Sequence, residues 1–218
     1  MVGIKICGVR DLETVHLCTE LQVEWIGLVF YAPSPRFISI EDLKKIADLY
    51  SDHSSKRPRL VGLFVKASNQ EIADVLSVIN LDILQIYDSS ERVHDIRSTF
   101  NLPVWQSKGV ARAEELPLSM HCDGFVIEAK ATPTDSLPGG MGRRFDWGIT
   151  QNWAAPGFWA LAGGLTPDNV ARAIQEGAPP AVDVSSGVEG RIGFKSHDLI
   201  KKFVENAREA LAPPKELG

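Results

Sequence analysis

The sequence predicts an α/β protein folded as a single-domain (β/α)8 barrel of the TIM type. Three observations carry that reading. Short apolar, β-branched runs alternate with helix-like stretches along the whole chain, as repeated βα units do. Eight such runs can be marked, whereas a doubly wound sheet usually stops at five to seven strands. The first strand-to-helix turn, Cys7-Gly8-Val9-Arg10, also lacks the glycine fingerprint that opens a dinucleotide-binding sheet. A length of 218 residues suits one barrel better than two small domains.

The predicted strands span residues 3–8, 25–30, 59–65, 83–87, 104–108, 124–128, 158–162 and 181–185. Ser68 followed by Glu71 reads as a capping box opening the third helix. Thr166-Pro167-Asp168 reads as an N-cap with proline at the first helical position of the seventh. The fifth and sixth units are weaker. Residues 111–120 are short and broken by Pro117, and residues 129–144 form a loop rich in glycine and proline. Irregular loops of this kind gather around the active site of a barrel. The barrel is expected over residues 1–211, with 212–218, containing Pro213-Pro214, as a frayed tail.

Composition removes several function classes. A net charge of -5 gives no basic footprint for nucleic acid, so an anionic ligand must be held by local features such as helix N-termini and single arginines. Cys7, Cys18 and Cys122 are odd in number and contain no Cys-x-x-Cys pair. That fits neither a disulfide framework nor a zinc site, and implies a reducing cytoplasm. No export signal or bilayer-length apolar run is visible, so a soluble cytoplasmic protein without a membrane partner is expected. No obligatory protein partner is visible. His16, His53, His94, His121 and His197 show no ligand spacing, and no metal is expected.

In a barrel, working residues lie at the C-terminal strand ends. Alternation in the first strand turns Ile4 and Ile6 toward the helices and Lys5 and Cys7 into the barrel. A lysine beside a thiol favours the thiolate, the form that acts as base or nucleophile. The same spacing also fits a buried structural cysteine beside a snorkelling lysine. Cys18 lies in a helical apolar stripe and Cys122 just before a strand, and both read as structural. In the sixth strand Val126 and Glu128 share a face, which puts Glu128 at the mouth as a candidate general acid or as a solvated rim residue.

Glycine-bearing turns end the seventh and eighth strands, at Gly163-Gly164 and Ser185-Ser186-Gly187. Exposed amides at such glycines form an anion cradle, and two in consecutive units point to phosphate. After the second strand, Pro33 and Pro35 stiffen a loop presenting Arg36, suited to a carboxylate or phosphate, or else to a surface salt bridge.

These residues in this order resemble phosphoribosylanthranilate isomerase. The likeness rests on Lys5-Ile6-Cys7-Gly8, residues 27–30 with Ser34-Pro35-Arg36, Val61-Gly62-Leu63-Phe64-Val65, Leu84-Gln85, Gly139-Gly140 with Gly142 and Phe145-Asp146-Trp147, residues 161–169 and residues 183–189. It implies a cofactor-free barrel that performs an Amadori rearrangement of N-(5-phosphoribosyl)anthranilate, a small phosphorylated sugar. It also implies Cys7 as the base, Arg36 as a holder of anionic or ring groups, and Asp183 near the substrate, with Lys5, Gln85 and Tyr87 as further substrate contacts. The phosphate would sit against Gly163, Gly164, Ser185, Ser186 and Gly187.

The sequence departs from the family pattern at three places. Glu128 stands where the acidic aspartate is usual, Leu84-Gln85-Ile86-Tyr87-Asp88 replaces Leu-Gln-Leu-His-Gly, and Gly139-Gly140-Met141-Gly142-Arg143 replaces Gly-Gly-Thr-Gly-Lys. The phosphate turns are intact. A diverged enzyme for another phosphorylated sugar or amino-sugar, or a non-catalytic phosphate-ligand binder, would keep the same frame.

Overall fold

The computed structural model describes residues 1–51, 57–132 and 144–210. The expected tail, 212–218, and the Gly139–Arg143 segment lie outside the described residues. Eight strands close into a parallel barrel: β1 (Gly3–Cys7), β2 (Trp25–Val29), β3 (Arg59–Val65), β4 (Ile83–Tyr87), β5 (Val104–Val110), β6 (Gly124–Ala129), β7 (Trp159–Leu161) and β8 (Ala181–Val184). Closure comes from β1 pairing with β8, with Lys5 level with Asp183.

The outer layer holds α1 (Leu12–Glu20), α2 (Ile40–Ser51), α3 (Asn69–Leu76), α4 (Ser90–Phe100), α5 (Val170–Gly177) and α6 (His197–Glu209). In the weak fifth unit only a 3-10 turn, Ala113–Glu115, follows the strand. The sixth supplies another at Trp147–Thr150. A short hairpin, β9 (Glu189–Arg191) and β10 (Phe194–Lys195), intervenes between β8 and α6.

The capping box at Ser68 and Glu71 is formed in both directions. The seventh helix differs from expectation, because regular helix begins at Val170 and not after Thr166. Asn169 explains the shift. Its side-chain amide donates to the Gly164 carbonyl at 2.9 Å and its oxygen accepts from the Thr166 N–H at 2.8 Å, so residues 167–169 are held as a turn.

The core divides at the strands. Ile4, Ile6, Ile26, Leu28, Leu60, Phe64, Leu84, Phe125, Ile127 and Val182 face outward and are sealed by the helices. Inside, Trp25, Ile83, Trp105, Val126 and Ala160, with Phe158 packed against them, form an apolar floor at the N-terminal end. Trp25 and Trp105 meet edge to face at 5.4 Å, and Phe158 lies 5.0 Å from Trp105.

At that same end three carboxylates tie strands together in pairs. Glu24, just before β2, accepts from the Ile4 amide at 2.8 Å. Asp82, before β4, accepts from Leu60 at 2.6 Å, and Asp123, before β6, from Val104 at 2.9 Å. Each bond satisfies a strand-entry N–H and fixes the register that brings the opposite strand ends together. We expect Asp82→Ala to cost about 1–3 kcal/mol, the loss of one charge-assisted bond, read as a lower urea midpoint with an unchanged slope.

Candidate active site

Above the apolar floor the barrel interior becomes polar. Lys5 is fully buried and donates to Asp183 Oδ1 at 3.0 Å, so the closing strand pair carries an ion pair inside the barrel. Gln85 is equally buried and donates to Ser107 Oγ at 2.9 Å, while its own Oε1 has no partner among the described residues. This tier is where the strands turn from structure to chemistry.

Cys7 stands one inward position beyond Lys5, 5% exposed. Gly27 on the neighbouring strand makes room for both. A Cβ there would come within 2.8 Å of the Cys7 sulfur and 3.1 Å of the Lys5 ammonium, so the two groups share the space above one glycine. Burial works against the charge on Lys5, but Asp183 and Cys7 together hold its pKa above the ordinary value. Burial also pushes the Cys7 thiol up, the positive charge of Lys5 pulls it down, and the Asp183 carboxylate pushes it up again. The resting group is therefore a thiol with cations beside it. Cys18 and Cys122 are buried as well, and burial pushes Cys18 up to about 12, which suits the inert role expected of it.

Glu128 lies at the end of β6, 5% exposed, and Tyr87 joins it to the thiol side. The phenol is raised well above its ordinary value by burial and by the charge of Glu128, with a further push from Cys7. Tyr87 also packs against the apolar group formed by Cys7, Val29 and Leu63. The thiol of β1 and the carboxyl of β6 thus address one mouth, with the phenol of β4 between them. Two departures from the family pattern, Tyr87 and Glu128, are partners of each other.

The glycine turns lie side by side. Gly163 and Gly164 have φ of 85° and 66°, the left-handed region that glycine enters without strain. A Cβ on Gly187 would stand 1.8 Å from the Leu165 carbonyl oxygen, so only glycine lets the turn after β8 rest on the turn after β7. Ser185 donates its hydroxyl to the Cys7 carbonyl at 3.1 Å, which ties this cradle to the end of β1.

Arg36 is neither free in solvent nor part of a surface salt bridge. It is buried and bidentate to Glu189, with Nε to Oε1 at 2.7 Å and Nη2 to Oε2 at 3.0 Å. Gly8, at φ 77°, lies under its stem, where a Cβ would meet Cδ at 2.9 Å. Glu189 also accepts from the Gly193 N–H at 3.0 Å and from Lys195 at 3.1 Å, and although burial opposes its charge, Arg36 and Lys195 hold it below the usual carboxylate range.

All the residues expected at the site, Lys5, Cys7, Arg36, Gln85, Tyr87, Glu128, Gly163, Gly164, Asp183, Ser185, Ser186 and Gly187, therefore lie at the barrel's interior or C-terminal mouth. Sequence reasoning assigned no role to Gly27, Ser107, Asn169, Glu189 or Lys195. Ser107 could have been found by alternation along β5, but Lys195 sits in a hairpin with no periodic signal. A separate cleft of about 530 Å³ at the opposite end, lined by Trp25, Arg59, Trp105 and Phe158 among others, is remote from this chemistry.

Among known families, the model described as N-(5'-phosphoribosyl)anthranilate (PRA) isomerase matches residues 4–206. The chain belongs to the phosphoribosylanthranilate isomerase family. The isomerase of Acidiphilium cryptum is 45% identical over 211 residues, 96% of this chain and 100% of that protein. The isomerase of Granulibacter bethesdensis is 40% identical, covering 95% and 98%. Among solved structures, phosphoribosylanthranilate isomerase from Thermotoga maritima superposes with a TM-score of 0.79 at 32% identity, covering 95% of this chain and 99% of that one. An isomerase of the family in complex with reduced 1-(o-carboxyphenylamino)-1-deoxyribulose 5-phosphate gives 0.76 at 30% identity, with the same coverage. Among the described residues no helix is long and apolar enough to cross a membrane, and no group of three or more His, Cys, Asp or Glu could hold a metal ion.

If Gly27 is the shared floor beneath sulfur and ammonium, Gly27→Ala must displace one of them. An expected loss of roughly a hundredfold in kcat, with circular dichroism unchanged, checks this. Gly187→Ala should instead weaken substrate binding, seen as a higher KM, because the two turns can no longer touch.

Proposed function

We propose that the protein catalyses the Amadori rearrangement of N-(5-phosphoribosyl)anthranilate to 1-(o-carboxyphenylamino)-1-deoxyribulose 5-phosphate. The observation that carries this reading is the convergence of Cys7 and Glu128 on one mouth beside the paired glycine turns. Family membership over nearly the whole chain supports the same reaction.

The phosphate would be held by backbone amides at Gly163, Gly164, Ser186 and Gly187, which fixes the ribose across the barrel mouth. Ser185 fits a structural part, since its hydroxyl already donates to the Cys7 carbonyl. Glu128 delivers a proton to the furanose ring oxygen as the C1–O bond breaks, and the nitrogen lone pair forms the protonated imine. Cys7 as thiolate then takes the C2 proton, and the C–H electrons form the enolamine C1=C2 bond. Loss of the C2 hydroxyl proton with protonation at C1 gives the ketone, so the reaction conserves every atom.

Neighbouring side chains support the transferring groups. Lys5 offsets the negative charge that Cys7 gains as thiolate and is itself anchored by Asp183. Tyr87, beside Glu128 at the rim, flanks the longer side chain that stands in place of the family's aspartate. Arg36 has Nη1 not engaged by Glu189, and that nitrogen suits the anthranilate carboxylate. Gln85 offers its unpartnered Oε1 as an acceptor to a sugar hydroxyl. The three free, buried thiols fit a reducing cytoplasm.

Anthranilate compounds fluoresce, so turnover can be followed directly. Cys7→Ser and Glu128→Gln should each lower kcat by about 10²–10⁴, and Glu128→Gln should leave KM nearly unchanged. A flat trace from the unmodified enzyme, or failure to restore a tryptophan-requiring strain, rejects the assignment. Because burial holds Cys7 as a thiol at neutral pH, kcat/KM should rise from neutral into alkaline pH. That limb should be absent in Cys7→Ser.

A further inference from the structure

Lys195 is the buried cation for which the mechanism above has no use. Its side chain is 1% exposed, on a two-residue strand that ends a hairpin, where a lysine would ordinarily lie in solvent. The hairpin is built to bury it. Gly193 turns at φ 78° so tightly against the Arg36 loop that a Cβ would stand 2.4 Å from the Pro35 carbonyl, and its N–H donates to Glu189.

From that seat the ammonium donates to the Ser185 carbonyl at 2.9 Å, to Ser185 Oγ at 3.4 Å and to Glu189 Oε1 at 3.1 Å. Ser185 in turn donates to the carbonyl of Cys7 at 3.1 Å. The lysine is therefore two hydrogen bonds from the residue that carries the thiol.

We propose that Lys195 is a positioning residue for Cys7: it brings a second buried cation to the end of the first strand, and its bonds to Ser185 lock the strand end that aims the sulfur. The proposal rests on Cys7 acting as the base. The charged and titratable groups facing the sulfur are Lys5 on β1, Asp183 on β8, Lys195 on β10 and Tyr87 on β4. Arg36 and Glu189 form the next ring, paired with each other. Of these, the two lysines favour the thiolate, Asp183 opposes it, and Cys7 makes the Tyr87 phenol harder to ionise. Burial lowers Lys195 itself, while Glu189 and Cys7 draw it back toward the charged form.

With Lys5 alone, the ammonium that favours the thiolate would have the Asp183 carboxylate set against it. Lys195 supplies the unbalanced positive charge. Glu189, shared with Arg36, keeps that charge buried without cancelling it.

The test titrates the thiol and does not depend on turnover. Alkylation of Cys7 by iodoacetamide is followed against pH on the Cys7 peptide by mass spectrometry, in the full chain and in Lys195→Met, Lys195→Gln and Lys195→Arg. Thiolate ultraviolet absorbance, taken as the difference from Cys7→Ser, gives a second reading of the same midpoint. Lys195→Gln removes the charge and keeps a hydrogen-bonding group on a side chain one atom shorter, so it decides the matter if Lys195→Met does not fold. We expect its midpoint about one pH unit higher, alkylation roughly tenfold slower at neutral pH, and near-normal behaviour in Lys195→Arg. The alkaline limb of kcat/KM should move by the same amount. Equal midpoints in the unmodified protein and Lys195→Gln, with or without a lower melting temperature, overturn the proposal. Full activity in Cys7→Ser overturns instead the choice of base, and leaves the thiol titration to be read on its own.

Discussion

The ion pair between Lys5 and Asp183 is the constraint on which the rest of the site depends. Two opposite charges are held inside the barrel, above a floor of tryptophans, where removing one partner costs about 3–5 kcal/mol because the other is left without compensation. The pair joins the first strand to the last and so closes the barrel at the level where its interior turns polar. It also fixes the ammonium beside Cys7, so the closure that makes the fold also sets the field around the thiol. A hydrophobic pair could close the same strands, but it would take away the cation that shares the space above Gly27 with the sulfur.

Above that pair the mouth is organised as two linked clusters. On one side Cys7, Lys5 and Asp183 are joined through Ser185 to the Lys195–Glu189–Arg36 chain, which runs from the eighth strand across to the loop after the second. On the other side Tyr87 gathers Glu128 and Ser107, with Gln85 bonded to the same serine. The sugar would lie between the clusters, with acid and base approaching from different strands and the phosphate at the paired glycine turns. Geometry of this kind resists small changes, because each charged group is already a partner of another and a displacement of one is felt by its neighbours.

The departures from the family pattern take on a different meaning in three dimensions. Considered along the chain, a glutamate for an aspartate and a tyrosine for a histidine are two separate changes on two strands. In the folded protein the phenol and the carboxyl are neighbours, close enough for the charge of Glu128 to act on the phenol. One longer side chain is received by another group at the rim, and the pair can be treated as a single adjustment of the acid end. The match to isomerases over nearly the full chain agrees with an enzyme that kept its reaction while this corner was rebuilt.

Much was legible in the residues alone. Short apolar, β-branched runs gave the eight strands to within two residues at their ends, and alternation placed Lys5 and Cys7 inside, because a strand has only two faces and one of them must be the barrel interior. The resemblance then named the acid, the base and the phosphate turns. Other features had no local signal. The helix after β7 starts later than its Thr-Pro pair suggests because Asn169 reaches back to Gly164, and Arg36 is committed to Glu189, 153 positions away. Lys195 is buried only because Gly193 lets the hairpin fold onto Pro35. What the sequence by itself determined are patterns of local period and capping, which depend on neighbours a few residues apart. Partner choice among buried charges was decided only by the tertiary structure, since it depends on which groups the closed barrel brings within hydrogen-bonding distance.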